Sequence, residues 1–162
     1  MVRPSCKDLM LDAAEVLLTE QGPWRLTLDS VAERAQVSKG GLLYHFPTKD
    51  ALLQALVDRL IEKGREKRQA RRAAYGDGPE AMLRADVEGA LLDEERNPQL
   101  CAALVAALAN CPNLKAPILK FHEQRVSDLE SLDVDQEEAN ILLLAADGLM
   151  LMESLNVSPF SE

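Results

Sequence analysis

The sequence predicts an all-α protein, and three observations lead there. Ala and Leu dominate the 162 residues while aromatics make up only 4%, a composition that favours helices over β-rich folds. Apolar residues recur every three to four positions in one stretch after another, the period of a helix with one buried face. Capping residues, glycines and prolines punctuate those stretches where helices start and stop. The length corresponds to about one to one and a half average domains, enough to bury a real core.

The first helix is expected from Cys6 or Lys7 to Glu20, with Leu9, Ala13, Val16 and Leu17 facing inward. Gln21-Gly22-Pro23 closes it with a glycine that tolerates left-handed backbone and a proline that stops helices. Trp24 and Leu26 are expected to close a small core with Val31, Val37, Leu42 and Phe46; the other reading of Trp24, that it lies on DNA, is disfavoured by its place in the connection. Leu28, Val31, Ala32 and Ala35 fall at i, i+3, i+4 and i+7 of a second helix. Thr27 stands at its N-cap, and Asp29 places negative charge in its first turn, as the helix dipole prefers. The pattern breaks at Ala35-Gln36-Val37. Ser38 then caps a third helix, Lys39 to Phe46, which must stop before Pro47. Thr48 caps a fourth, beginning Lys49-Asp50-Ala51. Helix, tight turn, short helix is the spacing of a helix-turn-helix, whose second helix lies in the DNA major groove.

The fourth helix continues with Leu52, Leu53, Leu56, Val57, Leu60 and Ile61 at helical spacing and ends in a basic run, Lys63 to Arg72. That run reads either as a solvated face pairing with acidic helices or as a patch for DNA phosphates, the first being favoured. Tyr75-Gly76-Asp77-Gly78-Pro79 is a clear break and the best domain boundary. The expected division is residues 1–50 and 51–162, linked by the helix from about 49 to 74. Further helices are expected from Pro79 to Leu92, from Pro98 (N-capped by Asn97) through Ala109, and from Leu114 to Leu132. Asp135-Gln136-Glu137-Glu138 has capping-box spacing and opens the last clear helix.

That last helix is apolar almost all round and therefore needs partners on two sides. One face suits its own subunit. The other, with Ile141, Leu144, Ala145, Gly148, Leu149, Met152 and Leu155, suits a second chain, and the small residues permit close approach. A homodimer has the twofold symmetry that reads a pseudo-palindromic DNA site. Ser158-Pro159-Phe160-Ser161-Glu162 looks like the cap and first turn of another helix.

Residues 27–53 closely resemble the DNA-binding region of the TetR family of bacterial transcriptional regulators. The resemblance is carried by Thr27-Leu28, Val31-Ala32, Ala35, Val37-Ser38, Lys39-Gly40, Leu42, Tyr44-His45-Phe46, Lys49 and Ala51-Leu52-Leu53. It implies a three-helix DNA-binding head followed by a helical effector-binding and dimerisation body. Thr27, Tyr44 and Lys49 are the phosphate contacts it implies. It also implies a fourth helix that links head to body and transmits motion, and dimers made largely through C-terminal helices, with a further such helix usual after Val157. Two departures matter: Gly41 stands where Ser or Thr is common, and Leu43 where Tyr is common, so two hydroxyls are missing. Gln36 replaces a frequent Gly, and either meets DNA or simply occupies the turn.

From the residues themselves, Lys39, Gly41, Tyr44 and His45 are the candidates for facing DNA. Lysine reaches guanine edges or phosphate, and Tyr and His donate to phosphate oxygens. Gly40 and Gly41 allow close backbone approach. Ser38 belongs to the same surface, and Arg3 and Lys7 are within reach of phosphates as terminal basic residues.

Charge is split along the chain. Residues 1–50 carry a net −1, residues 51–72 a net +4 and residues 73–162 a net −12, giving −9 for the whole. Any DNA contact must therefore come from the front half. Cys6, Cys101 and Cys111 fit a reduced compartment as buried thiols; the last two, on one helix, would be too far apart to bridge. No apolar run would span a bilayer and no signal peptide is visible, so a cytoplasmic protein is expected. Nothing resembles a nucleophile motif, a phosphate-cradling loop or a metal triad, so neither an enzyme nor a cofactor is expected.

Asp147, in an apolar helix, is the most unusual ionisable residue and needs a partner, as either a structural or a functional group. An effector pocket is expected from Val87, Leu91, Leu104, Leu108, Phe121, His122, Asp147 and Met150, for an aliphatic or mixed ligand. The combined expectation is a DNA-binding repressor released from its operator by a small molecule. The alternative is a dimeric DNA-binding regulator without an effector, controlled by abundance or a protein partner.

Overall fold

The computed structural model describes residues 5–76, 78–93 and 95–160, so Arg3, Asp77 and the last two positions lie outside it. The described residues form helices α1 (Cys6–Gln21), α2 (Leu28–Arg34), α3 (Lys39–His45), α4 (Lys49–Tyr75), α5 (Pro79–Leu91), α6 (Pro98–Leu108), α7 (Lys115–Glu130) and α8 (Gln136–Ser154). A short 3-10 turn, Pro112–Leu114, precedes α7. The expected ends therefore shift by a residue or two: Phe46 caps α3 instead of belonging to it, and α7 starts one residue later and stops at Glu130. Two compact units result. One takes the chain up to Arg59 together with Gln99–Ala116; the other takes Leu60–Pro98 and the chain from Pro117 onward.

In the first unit, Ser5 and Asp8 form a reciprocal capping box that starts α1. This helix buries Met10, Leu11, Ala13, Ala14, Leu17 and Leu18, whereas Leu9 and Val16, expected inward, are exposed. Apolar side chains lie nearly all round α1, so two stripes compete, and packing selects the one centred on Ala14. Leu26, Val31, Leu42, Phe46, Leu52, Leu53 and Leu56 are buried, while Val37 is half-buried. Trp24 departs from expectation: it is 70% exposed, and its neighbours Pro23 and Leu26 are buried in its place.

Polar ties add to this packing. Arg34 donates through both terminal nitrogens to Glu20 at 3.2 Å, joining α2 to α1. Arg59 of α4 pairs with Asp12 and Glu15. Cys111 lies beyond the end of α6, so it does not share a helix with Cys101. Its buried thiol donates to Asp50 at 3.3 Å, and burial first, then Asp50, pushes it above the ordinary thiol range. Cys6 is an exposed free thiol instead of a buried one, and Cys101 is half-buried.

In the second unit α5 packs against α8. Gly76, at φ +88°, lets the chain leave α4, and Gly78 precedes Pro79 at the first turn of α5. The basic end of α4 is paired: Lys67 reaches Asp93 and Glu95, each at 2.9 Å, Arg68 reaches Asp86 at 3.2 Å and Arg71 reaches Asp93 at 3.8 Å. The paired-face reading of that run is the one observed. Asp135 caps α8 by accepting from the N–H groups of Glu137 and Glu138. No helix of the described residues is long and apolar enough to cross a membrane.

Candidate nucleic-acid interface

The two short helices of the head are closed by their own side chains. Thr27 and Ser30 form a reciprocal capping box at the start of α2. At its end, the N–H of Gln36 bonds Glu33 O at 3.1 Å and that of Val37 bonds Ala32 O at 3.0 Å. This is the Schellman arrangement, which requires left-handed backbone at the residue between, and Gln36 supplies it at φ +55°. The turn that a glycine would take without strain is thus held by a glutamine, whose exposed side chain projects from it. Ser38 starts α3 by accepting from Gly41 N at 3.1 Å.

Leu42 and Phe46 fix α3 from below, both buried. Ser38, Lys39, Gly40, Tyr44 and His45 are exposed and Gly41 is half-buried. Tyr44 stands out at 84% exposure, its ring edge-on to His45 with centroids 5.2 Å apart. A Cβ at Gly40 would meet no heavy atom within 4 Å, whereas one at Gly41 would come within 3.1 Å of Ser38 Oγ. Two lysines are already engaged. Lys39 pairs with Asp29 at 2.7 Å across the α2–α3 turn. Lys49 donates to the carbonyl oxygen of Pro23 at 2.6 Å, tying the start of α4 to the α1–α2 connection. Thr48 caps α4 by accepting from Ala51 N.

Comparison with known proteins gives two matched stretches. Residues 10–56 match the model described as bacterial regulatory proteins, tetR family, and residues 80–162, just over half of the chain, match the tetracyclin repressor-like C-terminal domain. The chain belongs to the TetR family.

The HTH-type transcriptional regulator BetI of Burkholderia mallei (strain NCTC 10229) is 38% identical over 78 residues, 48% of this chain and 40% of BetI. The matched stretch thus spans well under two thirds of that relative. Among solved structures, a TetR transcription regulator from Haloarcula marismortui ATCC 43049 superposes with a TM-score of 0.79 at 23% identity, over 94% of this chain and 88% of the other. The multidrug binding protein EbrR complexed with imidazole gives 0.74 at 25% identity, over 98% and 85%. The TetR family is one of regulators and not of enzymes.

The residues expected to line an effector pocket in this TetR-family chain fall in both units. Leu104 and Leu108, on α6, lie in the first; Val87, Leu91, Phe121, His122, Asp147 and Met150 lie in the second. The second unit brings Phe121, His122 and Asp147 together. Their rings are edge-on at 5.3 Å, and His122 Nδ1 is 3.6 Å from Asp147 Oδ2. Burial, reinforced by Arg125, holds the imidazole below its ordinary value despite the opposing pull of Asp147. Burial thus favours the neutral imidazole.

The partner Asp147 requires is Arg125, only 4% exposed, which donates to both its oxygens and to Asp86. Sequence reading missed this arginine. The signal was there by elimination, since residues 73–162 hold only five basic side chains to satisfy a buried carboxylate. The guanidinium groups of Arg68 and Arg125 each lie 5.4 Å from the Phe121 ring centre.

On α8, Ile141, Leu144, Ala145 and Met152 are exposed, as is Leu155 at its C-cap, while Gly148 and Leu149 are half-buried; Ala139, Leu143 and Ala146 form the buried face. Among the described residues no group of three or more His, Cys, Asp or Glu side chains is placed to hold a metal ion.

Proposed function

We propose that this TetR-family protein is a sequence-specific DNA-binding regulator of transcription, acting in the cytoplasm as a homodimer that represses its target until a small molecule releases it. The observation that carries the DNA-binding part is the α2–turn–α3 unit, which is fixed from below by Leu42 and Phe46 and offers Lys39, Gly40, Gly41, Tyr44 and His45 outward. Tyr44 and His45 donate to phosphates, Gly40 admits the DNA surface, and Lys39 exchanges its exposed pairing with Asp29 for a base edge or phosphate. That exchange costs little, because an exposed ion pair is worth about 0–1 kcal/mol. Thr27, Gln36 and Ser38 border the same surface. Lys49 keeps two ammonium protons for a phosphate while holding Pro23.

Dimerisation is supported by the open apolar face of α8, where Leu144 is 71% exposed. Effector control is supported by likeness to EbrR, which was solved with imidazole bound. An effector-free regulator is the alternative, favoured by the way Arg125 already occupies both Asp86 and Asp147.

The test is DNA binding measured by anisotropy at several salt concentrations on fragments selected from the genome, with oligomeric state followed by sedimentation. The proposal expects a preferred pseudo-palindromic sequence, a dimer, and affinity that falls steeply with salt. Salt-independent or undetectable binding ends the regulator reading. Binding that no compound in a broad metabolite screen alters favours the effector-free alternative.

A further inference from the structure

The connection between α1 and α2 displays two adjacent exposed side chains. Trp24 and Arg25 are both exposed, side by side, between Pro23 and Leu26, which are both buried. The hydrogen bond from Lys49 to the carbonyl of Pro23 fixes the connection from one side. The Thr27 capping box fixes it from the other. The pair is thus displayed on a braced segment instead of a loose loop.

Arg25 differs from several cations of its unit. In the same unit Arg34 is committed to Glu20, Arg59 to Asp12 and Glu15, and Lys39 to Asp29. Arg25 makes no ion pair or hydrogen bond among the described residues. It is an uncompensated cation beside a large exposed aromatic whose indole N–H can only donate. Burial would be the ordinary fate of such a side chain.

We infer that Trp24 and Arg25 form a clamp on the DNA backbone, with Arg25 forking onto a phosphate and the Trp24 indole packing on the adjacent sugar while donating to a phosphate oxygen. The inference rests on the proposed DNA-binding function. The place of the pair argues for it: Thr27, three residues on from Trp24, and Lys49, bonded to the residue before it, are two of the phosphate contacts that the resemblance implies. A backbone clamp sets the register of the head without reading bases.

Trp24 is the single tryptophan of the chain, so its emission reports this position alone. The full chain is titrated with a fluorescein-labelled random-sequence 30-base-pair duplex at low salt, following label anisotropy and tryptophan emission together. The expected result is a change in emission with the same midpoint as the anisotropy, reversed by added salt. Arg25→Ala is expected to weaken binding roughly eightfold per Arg25 at 0.1 M salt, about sixtyfold for a dimer that docks both heads, and to lower the salt slope by about two. Arg25→Lys should keep the slope, and thermal melting of both variants should match the parent. Rising anisotropy with unchanged emission, or an Arg25→Ala variant with the parent's affinity and slope, overturns the clamp while leaving DNA binding intact. Absence of any anisotropy change, both with this duplex and with the duplex selected from the genome, overturns the DNA-binding function, and the clamp with it.

Discussion

Arg125 holds Asp147 with one guanidinium nitrogen 3.0 and 2.9 Å from the two carboxylate oxygens, while its Nε donates to Asp86 at 3.1 Å. One buried cation thereby serves carboxylates on α5 and α8, and Asp86 also accepts from Arg68 of α4. Such a pair need not be more stable than an apolar replacement of the whole group, but removing one member leaves uncompensated charge inside. Arg125→Ala is expected to cost about 3–5 kcal/mol in urea unfolding. A loss under about 1 kcal/mol would mean that water or rearrangement satisfies both carboxylates.

His122 gives the second unit a pH dependence of defined sign. Its folded-state pKa lies below the ordinary 6.5, through burial first. The unfolded chain therefore takes up the proton first as pH falls. Stability from the neutral imidazole is complete above about pH 6.5 and declines as pH drops from there through the folded value. His122→Gln should flatten this part of the profile, read from urea midpoints between about pH 7.5 and 5.5. An identical slope in parent and variant would exclude His122 as the source. In Arg125→Ala the lowering influence of the arginine is gone, so NMR titration should find the His122 pKa raised.

Gly40→Ala separates stability from DNA binding. The space around its Cβ is empty, so replacing glycine within α3 should stabilise the head by up to about 1 kcal/mol. On the proposed interface the added methyl stands between backbone and DNA. The melting temperature should rise while DNA affinity falls; a rise in both would show that DNA keeps its distance from this residue.

Leu144→Glu tests the α8 face. An exposed position tolerates the change within about 0.5 kcal/mol in an isolated chain, but a carboxylate in an apolar interface repels its symmetry mate. Sedimentation should show monomers with unchanged helix content. A dimer that persists would place the interface elsewhere.

What the sequence made legible was whatever local chemistry dictates. Thr27, Ser38, Thr48 and Asp135 cap helices because their side chains satisfy backbone N–H groups a few residues ahead, and Pro47, Pro79 and Pro98 mark boundaries for equally local reasons. The exposed surface of α3 followed from the same periodicity, with Leu42 and Phe46 inward and Tyr44 outward. Helix α1 was harder, since Leu9, Met10, Leu11, Val16, Leu17 and Leu18 are all apolar and only tertiary packing decides which of them face in. Trp24 was misplaced because proximity in sequence to buried Leu26 says nothing about its own rotamer. Arg125 was invisible to periodicity: its partners are 39 and 22 residues away on other helices. Gln36 could be located in the turn but not assigned its left-handed backbone, because glutamine gives no sign of that conformation.

The internal pairing of Arg34, Lys39, Arg59, Lys67, Arg68 and Arg71 bears on how such a regulator would search a chromosome. Attachment to arbitrary DNA draws almost wholly on positive charge, and here six of the eighteen lysines and arginines are paired in this way within a molecule whose net charge is −9. A genome presents on the order of 10⁶ or more decoy sites. The less such a protein is held by decoys, the more of its copies stay free for a single target.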